Sequence, residues 1–200
     1  MKYRKSAASL LAVFFMVVAG MSLTFKSSAQ SYITNVISTF PSGFGLSGYY
    51  ASWTTATKSD TGQGFQVVSS TYGSGYYGLS TPFRAPGATL AQLTFTLVSP
   101  SGYFGVPFTM TDGSGNQVTM AGGPNGNAYA SISPGTYTWT VPVGSLNVSN
   151  VTAFNLEFDP VSYSGSYTII YNKIALLTPL SQVAWNAPSS IVYGAPLDTN

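Results

Sequence analysis

Between Ser31 and about Leu177, apolar and polar residues alternate in short runs that are separated by turn-forming residues. Three runs show apolar residues at every second position: Leu93, Phe95 and Leu97; Val106, Phe108 and Met110; and Phe154, Leu156 and Phe158. A period of two places successive side chains on opposite faces of a β-strand. Each run therefore predicts a strand with one apolar and one polar face, the pattern of an antiparallel β-sandwich.

The segments between the runs favour tight turns. Asp-Gly-Ser-Gly-Asn at 112–116 supplies residues that tolerate a positive φ, and Ser-Pro-Gly at 133–135 forms another turn signal. No stretch after residue 30 has a capped helical period. Roughly ten strands in about 145 residues suit a jelly roll. The predicted fold class is all-β, an antiparallel β-sandwich (jelly roll) that follows an N-terminal signal peptide.

Residues 1–29 have the features of a secretory signal peptide. Lys2, Arg4 and Lys5 precede an apolar stretch, and Ser27-Ser28-Ala29 supplies small residues for cleavage. An uncleaved membrane anchor is the alternative, because residues 7–25 carry no charge and nearly reach the length of a bilayer span. We predict cleavage and a secreted or cell-surface protein.

The sequence changes character after Leu177. Residues 178–184 predict a linker, and residues 185–200 contain two short apolar runs that are too few for an independent module. This last stretch resembles the opening of bacterial immunoglobulin-like repeats, in which an apolar residue, a Tyr, a Gly and a small residue recur. We therefore expect a sandwich domain at 31–177, then a linker and the truncated start of an immunoglobulin-like module, within a longer modular protein.

Charge is scarce, and its distribution excludes one class of partner. Charged residues make up 6% of the chain, and four of the seven basic residues precede Gln30, which leaves three basic and five acidic residues after it. A net charge of −2 gives no footprint for nucleic acid. The absence of Cys and His excludes Ser-His-Asp and Cys-His catalysis and zinc sites built on those ligands.

Two groups of acidic residues have competing interpretations. Glu157 and Asp159 lie two apart on a predicted strand, so they point to the same face. A glycosidase needs two carboxyl groups that flank the scissile bond, one of them with a raised pKa. Because Glu157 and Asp159 alternate with the apolar residues of this strand, we favour the interpretation that they lie on a solvated outer face. Asp112, Ser114 and Asn116 match part of a calcium loop, but no distal Glu follows, and a hairpin turn explains the same residues.

Three segments resemble strands of the galactose-binding-like jelly rolls of carbohydrate-binding modules: Gly135 to Val143, Phe154 to Phe158, and Tyr171 to Leu176. The resemblance implies the fold, with the last two segments as its penultimate and closing strands. It also implies a structural calcium ligated by an Asp of the closing strand, where this chain has Asn172. No cofactor is predicted, and Asp112 and Asn172 remain weak calcium candidates.

Aromatic residues are the remaining candidates for a function. Sugars stack their apolar faces on exposed rings and bond their hydroxyls to amides and carboxylates. Ligand-binding candidates are Trp53 and three tyrosines of a segment predicted to be a loop, Tyr72, Tyr76 and Tyr77, although such rings can also pack over the ends of a sandwich. Trp139 alternates in register with apolar residues and predicts a core position.

These features predict a non-catalytic extracellular carbohydrate-binding or adhesion domain of a modular secreted or surface protein. The expected partner is a polysaccharide or a cell-surface glycan, with no nucleic acid, and the domain is expected to be monomeric. The alternative is a structural spacer of a cell-surface protein that binds no small ligand. A glycosidase ranks third, because it depends on Glu157 and Asp159 facing a cleft.

Overall fold

The computed structural model describes residues 30–41, 53–124, 127–161 and 165–180, which contain twelve β-strands and one turn of 3-10 helix at Trp53–Thr55. The strands are β1 (Tyr32–Ser38), β2 (Thr57–Thr61), β3 (Gly64–Ser69), β4 (Gly73–Phe83), β5 (Leu90–Ser99), β6 (Gly102–Phe104), β7 (Phe108–Asp112), β8 (Gln117–Met120), β9 (Ala130–Ile132), β10 (Gly135–Pro142), β11 (Val151–Phe158) and β12 (Tyr167–Pro179).

The strands form an antiparallel β-sandwich. A six-stranded sheet has the order β10-β5-β12-β3-β2, with β1 also paired to β12, and a four-stranded sheet has the order β4-β11-β7-β8. The long strand β12 pairs with β3 through Tyr167 to Tyr171 and with β1 through Ile174 to Pro179. A third, two-stranded sheet consists of β6 and β9. The all-β sandwich prediction is confirmed.

The apolar side of each predicted strand forms the core. All nine residues of the three alternating runs are buried, and Trp139 is also a core residue, as predicted. Aromatic rings from the two sheets meet in this core, as in the stacked pair of Phe158 and Tyr167 with centroids 4.2 Å apart. Burial of such large apolar surfaces is the main stabilising term of a domain without disulfides.

Trp53 lies in this core, so its prediction as a ligand-contacting ring is wrong. Its side chain is fully buried, and its Nε1–H donates a 2.9 Å hydrogen bond to Oη of Tyr167. The Tyr167 hydroxyl in turn donates to the carbonyl oxygen of Thr71, also at 2.9 Å. Gly73 allows the indole to lie against the backbone of β4, because a Cβ there would be 1.7 Å from Cδ1 of Trp53. The indole therefore stabilises the fold and does not reach the surface.

Two segments that were predicted to lack strands belong to strands in the structure. The segment predicted to be a loop at Tyr72 to Gly78 belongs mostly to β4, because Tyr76 and Tyr77 alternate across the sheet between glycines that fit the strand. The linker predicted from Thr178 cannot start there, because Thr178 and Pro179 pair with β1. The predicted signal peptide and immunoglobulin-like start lie outside the described residues. Within those residues, no helix is long and apolar enough to span a membrane.

Candidate functional site: a groove on the outer face of the four-stranded sheet

The outer face of the four-stranded sheet carries a groove of about 530 Å³. Its lining is polar apart from one aromatic ring: Ser74 and Tyr76 of β4, Asn155 and Glu157 of β11, Thr109 and Thr111 of β7, and Gln117 of β8. These residues are the polar members of strands whose other members fill the core, so the alternation that builds the sandwich also builds this surface. We call these seven residues the outer groove.

The strand register brings these side chains together in rows. Asn155 on the central strand β11 pairs with Tyr76 on one side and with Thr109 on the other. Tyr76 exposes 48% of its surface, so the face of its ring is available to a ligand. One row thus combines an aromatic platform, an amide and a hydroxyl within the width of three strands, which lie about 5 Å apart.

The next row along β11 carries small side chains beside Tyr76. Ala153 of β11 pairs with Gly78 of β4 and with Thr111 of β7, so two of its three positions carry little or no side chain. A Cβ added at Gly78 would meet no atom closer than Cε1 of Tyr76, at 4.0 Å. The space above Gly78 is therefore open, and the ring of Tyr76 forms its wall.

Glu157 holds two neighbours in place at the other end of the groove. Its Oε2 accepts a 2.6 Å hydrogen bond from the hydroxyl of Tyr72, and its Oε1 accepts one of 2.6 Å from Nδ2 of Asn155. Partial burial raises the pKa of Tyr72, and the hydrogen bond to the Glu157 carboxylate raises it further, so the phenol stays protonated as a donor. Each carboxylate oxygen keeps a second lone pair for a ligand hydroxyl.

Hydroxyl and amide groups continue the surface over β7 and β8. Thr109 and Thr119 lie opposite each other with their Oγ1 atoms 3.2 Å apart, and Nε2 of Gln117 donates to Oγ1 of Thr111 at 3.2 Å. These cross-strand pairs hold the donors and acceptors in fixed positions. The outer groove thus offers one ring face and several polar groups but no cationic side chain among its lining residues.

Of the four predicted ligand-binding residues, the structure brings two to this surface. Tyr76 lines the outer groove, and Tyr72, 46% exposed, adjoins it through Glu157. Tyr77 is buried, which makes its prediction as a ligand contact wrong, because alternation along β4 turns its ring inward onto Phe154 at a centroid distance of 5.3 Å. Trp53 is fully buried in the core and bonded to Tyr167.

Asp112, one of the two weak calcium candidates, has its carboxylate bonded within the predicted hairpin turn and to Asn147. Its oxygens accept four hydrogen bonds from nitrogen donors: the backbone N–H groups of Ser114, Asn116 and Asn147, and Nδ2 of Asn116. N–H dipoles aimed at a carboxylate take the place that a cation would occupy. These bonds, led by that from Asn147, lower the pKa of Asp112 to about 2. Asp112 is therefore a turn anchor.

Asn172, the other weak calcium candidate, has both ends of its amide engaged. Its Oδ1 accepts a hydrogen bond from Oγ1 of Thr96 at 2.9 Å, and its Nδ2 donates to the carbonyl oxygen of Gln63 at 2.8 Å. Asn172 and Asp112 belong to strands of different sheets, β12 and β7. The described part of the chain contains no group of three or more Asp and Glu residues that could hold a metal.

A second cavity, of about 470 Å³, lies beside the turn between β2 and β3. Its lining consists of Thr39, Phe40, Pro41, Asp60, Thr61, Gly62, Gln63, Gly64 and Asn172. The one ring in this set, Phe40, is buried and packs edge-on against Phe154. This cavity therefore lacks the exposed aromatic platform that distinguishes the outer groove.

Sequence reasoning missed most of the outer groove. Ser74, Thr109, Thr111, Gln117 and Asn155 are common surface residues, and alternation indicated only that some of them face outward. Nothing in the local sequence specifies that β11 lies between β4 and β7, which is what collects these residues in one place. The available signal was a Tyr with small residues two positions before and after it, Ser74 and Gly78.

The described residues thus define an antiparallel β-sandwich domain with an aromatic-walled polar groove. No family model and no curated protein matches the sequence. One similar solved structure is a family 11 carbohydrate-binding module from Clostridium thermocellum in complex with a β-1,3-1,4-mixed-linked tetrasaccharide, at 14% identity and a TM-score of 0.49, covering 75% of this chain and 99% of that one.

Two further similar structures differ in kind. A family 29 carbohydrate-binding module in complex with mannohexaose has 14% identity and a TM-score of 0.46, with 73% of this chain and 92% of that one covered. An agarase has 8% identity and a TM-score of 0.47, and this chain, 66% covered, spans only 22% of the agarase. At such identities the similarity concerns the fold, and the ligand must be inferred from the site itself.

Proposed function

We propose that the outer groove binds a neutral polysaccharide and that the domain does not catalyse a reaction. The observation that carries this proposal is the row of Tyr76, Asn155 and Thr109, in which a half-exposed ring lies beside fixed polar groups. The open space at Gly78 adjoins this row. Pyranose rings offer apolar C–H faces to an aromatic ring and hydroxyl groups to amides and carboxylates.

The charge of the groove favours a neutral ligand. Glu157 is the charged residue of the lining, and its carboxylate would repel uronate or sulfate groups. A binding site for an anionic polysaccharide would need Arg or Lys side chains among its lining residues. Linear neutral glucans, mannans and galactans are therefore the ligands to test first.

The surroundings of the two acidic residues favour binding over hydrolysis. A general acid of a glycosidase needs an environment that keeps its carboxyl protonated. Glu157 instead accepts hydrogen bonds from Tyr72 and Asn155, and Asp159 accepts them from the Tyr129 hydroxyl and the backbone N–H of Val161. Glu157 and Asp159 also project from one side of the same strand ladder, whereas the two carboxyl groups of a glycosidase flank the scissile bond.

The wider setting of the domain forms part of the proposal. The features of residues 1–29 support secretion, and the resemblance of residues 185–200 to an immunoglobulin-like opening supports a modular surface or secreted protein in which this domain provides adhesion to a glycan. A spacer domain without a small ligand is the competing function, and the binding experiment decides between them.

The test is affinity electrophoresis of the full chain in gels that contain mixed-linkage β-glucan, glucomannan, galactomannan, xylan or agarose, with polygalacturonate as the anionic comparison. We expect retardation by at least one neutral polysaccharide and none by polygalacturonate. Tyr76→Ala should abolish the retardation by removing the platform. Gly78→Leu should abolish it by filling open space on an extended strand.

Tyr32→Ala is the matched control, because Tyr32 is an exposed tyrosine on β1 of the other sheet. It should leave the retardation unchanged. A wild-type chain that migrates freely in every gel would overturn the proposal and favour the spacer. So would retardation that both groove variants retain.

A further inference from the structure

We propose that the binding surface extends beyond the outer groove along β11 to a second aromatic subsite formed by Tyr103 and Tyr129, and that the ligand is an extended sugar chain lying parallel to β11. This inference rests on the proposed function and adds to it the direction and the length of the bound polysaccharide. It depends on a series of outward side chains on one strand and on the ring beside each of them.

The outward residues of β11 form a straight series. Asn155, Glu157 and Asp159 are every second residue, so they share one face, with Cα atoms about 6.5 Å apart at each step. The strand ladder continues past the end of β11, because Gly105 and Asp159 exchange backbone hydrogen bonds of 2.9 and 2.8 Å. Asp159 therefore stays in register with Glu157, and the series spans about 13 Å.

Each member of the series adjoins an aromatic ring. Asn155 pairs with Tyr76, Glu157 accepts from the Tyr72 hydroxyl, and Oδ2 of Asp159 accepts from the Tyr129 hydroxyl at 3.1 Å. A ring and a hydrogen-bonding group thus lie side by side at each of three successive outward positions, from the groove toward Asp159. This is the arrangement that successive sugar rings of one chain require, since every ring presents both C–H faces and hydroxyls.

The series of outward residues ends beside a pair of tyrosines. The rings of Tyr103 and Tyr129 have centroids 5.7 Å apart and are inclined at 43°. Tyr103 exposes 55% of its surface, more than any other large hydrophobic side chain of the described residues. An exposed ring held at an angle to a second one offers two faces to a ligand.

The fold keeps both rings in place. Tyr103 lies on β6 between Gly102 and the buried Phe104, and it pairs with Ser131 of β9. Gly105 gives Tyr129 its position, because a Cβ there would be 2.8 Å from Cδ1 of the Tyr129 ring. A ligand that binds rings already fixed in this way loses less conformational entropy than one that must order them.

The topology argues against a peptide in the same place. A peptide binds a sheet by adding a strand to a free edge, whereas β11 is paired on both sides, to β4 and β7. The carboxylates of Glu157 and Asp159 also disfavour a purely apolar ligand, because covering a charged group with an apolar one removes the water that solvates it. Sugar hydroxyls can donate to both carboxylates while the sugar rings cover the tyrosines.

The experiment measures affinity against ligand length. Isothermal titration calorimetry of the full chain uses cello-, manno- and agaro-oligosaccharides from disaccharide to hexasaccharide. We expect the affinity of the wild type to rise with length up to the longest members of one series. Tyr103→Ala should lower the affinity for the hexasaccharide by roughly three- to tenfold, the contribution of one aromatic contact, and leave short members unaffected.

Two further variants separate the subsites and guard against misfolding. Tyr76→Ala should weaken the binding of every length, because its ring belongs to the outer groove. Tyr103→Thr keeps a residue that favours strands and should reproduce the effect of Tyr103→Ala. Urea unfolding of each variant establishes that it is folded.

The outcomes distinguish this inference from the proposed function. If Tyr103→Ala and Tyr103→Thr bind every length as the wild type does, the ligand ends at the outer groove and only the extension is wrong. Equal losses for short and long ligands would also overturn the extension. If the wild type binds no member of any series and no polysaccharide in the gels, both proposals fall together.

Discussion

The hydroxyl of Tyr72 and the carboxylate of Glu157, 85 residues apart in the sequence, are joined by a hydrogen bond of 2.6 Å across the boundary of β4 and β11. Hydrogen bonds to an ionised acceptor are short and roughly twice as strong as neutral ones. This bond fixes an exposed ring next to the outer groove at the point where β4 begins. It also connects the groove to the series of outward residues that continues to Asp159.

The burial of Trp53 leads to a prediction about stability. Trp53→Ala removes a fully buried indole and its hydrogen bond to Tyr167, so the free energy of unfolding should fall by about 3–5 kcal/mol. Urea unfolding followed by circular dichroism measures this loss. Tyr76→Ala is the comparison, because its half-exposed ring should contribute little to stability. A Trp53→Ala protein as stable as the wild type would contradict the packing described for the indole.

Two glycines of the same strand should respond in opposite ways to alanine. At Gly73 the new methyl group would overlap the Trp53 ring, and overpacking of this kind costs about 1–3 kcal/mol or more. At Gly78 the methyl group points into open space, and the loss of unfolded-state entropy should leave the protein unchanged or up to about 1 kcal/mol more stable. Urea midpoints of the two variants provide the measurement.

A second variant identifies the cause of the Gly73 effect. If the penalty comes from the indole, Gly73→Ala should cost less when Trp53 is replaced by the smaller Phe, and the two substitutions should be non-additive. Additive effects would mean that some other contact of Gly73 is responsible.

The turn anchored by Asp112 makes stability depend on pH. Hydrogen bonds to the carboxylate hold its folded-state pKa at about 2, below the ordinary value of 3.8. A depressed pKa means that the unfolded chain takes up the proton first as pH falls. The contribution of Asp112 is therefore complete above pH 3.8 and disappears as pH falls toward about 2. Urea midpoints of the wild type should decline through this interval.

Asp112→Ala isolates this contribution. The variant should be less stable than the wild type at neutral pH, because four nitrogen donors lose their acceptor. Its stability should depend less on pH between about 4 and 2, so that the two proteins converge at the acid end. Parallel curves over that interval would mean that other carboxyl groups cause the acid sensitivity.

The core was predictable from the sequence because a period of two is a local property. Leu93, Phe95 and Leu97 face inward on β5 as their alternation indicates, and the turn at Asp112 follows from residues that are adjacent in the chain. The same reasoning placed Glu157 on an outer face. These features need only the neighbours of each residue in the sequence.

The site was less predictable because it depends on contacts between distant strands. Tyr76 and Tyr77 are adjacent and chemically identical, yet one lines the outer groove and the other stacks on Phe154. Their roles depend on the phase of β4, which is set by its pairing with β11 and by the approach of Gly73 to Trp53. A glycine-rich segment conceals this phase, since its small residues carry no apolar pattern.

The last prediction concerns the charge of Glu157. Glu157→Gln keeps the size of the side chain but replaces one acceptor oxygen with an NH2 group. That donor would face the hydroxyl of Tyr72 or Nδ2 of Asn155, so one of the two hydrogen bonds would be lost. The phenol of Tyr72 then loses a charged acceptor that raises its pKa, so it should ionise at lower pH than in the wild type. Ultraviolet titration of the phenolate measures that shift. Affinity for the retained polysaccharide should fall roughly tenfold, as expected for a lost hydrogen bond to a charged group.

Thr138→Ala is the matched control, because Thr138 is an exposed strand residue of the six-stranded sheet and pairs there with Thr94. It should change neither the titration of Tyr72 nor the affinity. If Glu157→Gln shifts the Tyr72 titration but leaves binding intact, the carboxylate orders the ring without contacting the sugar. Tyr76 would then remain the main contact in the outer groove. The ligand would have to lie over β7 and β8 and not along the outward residues of β11.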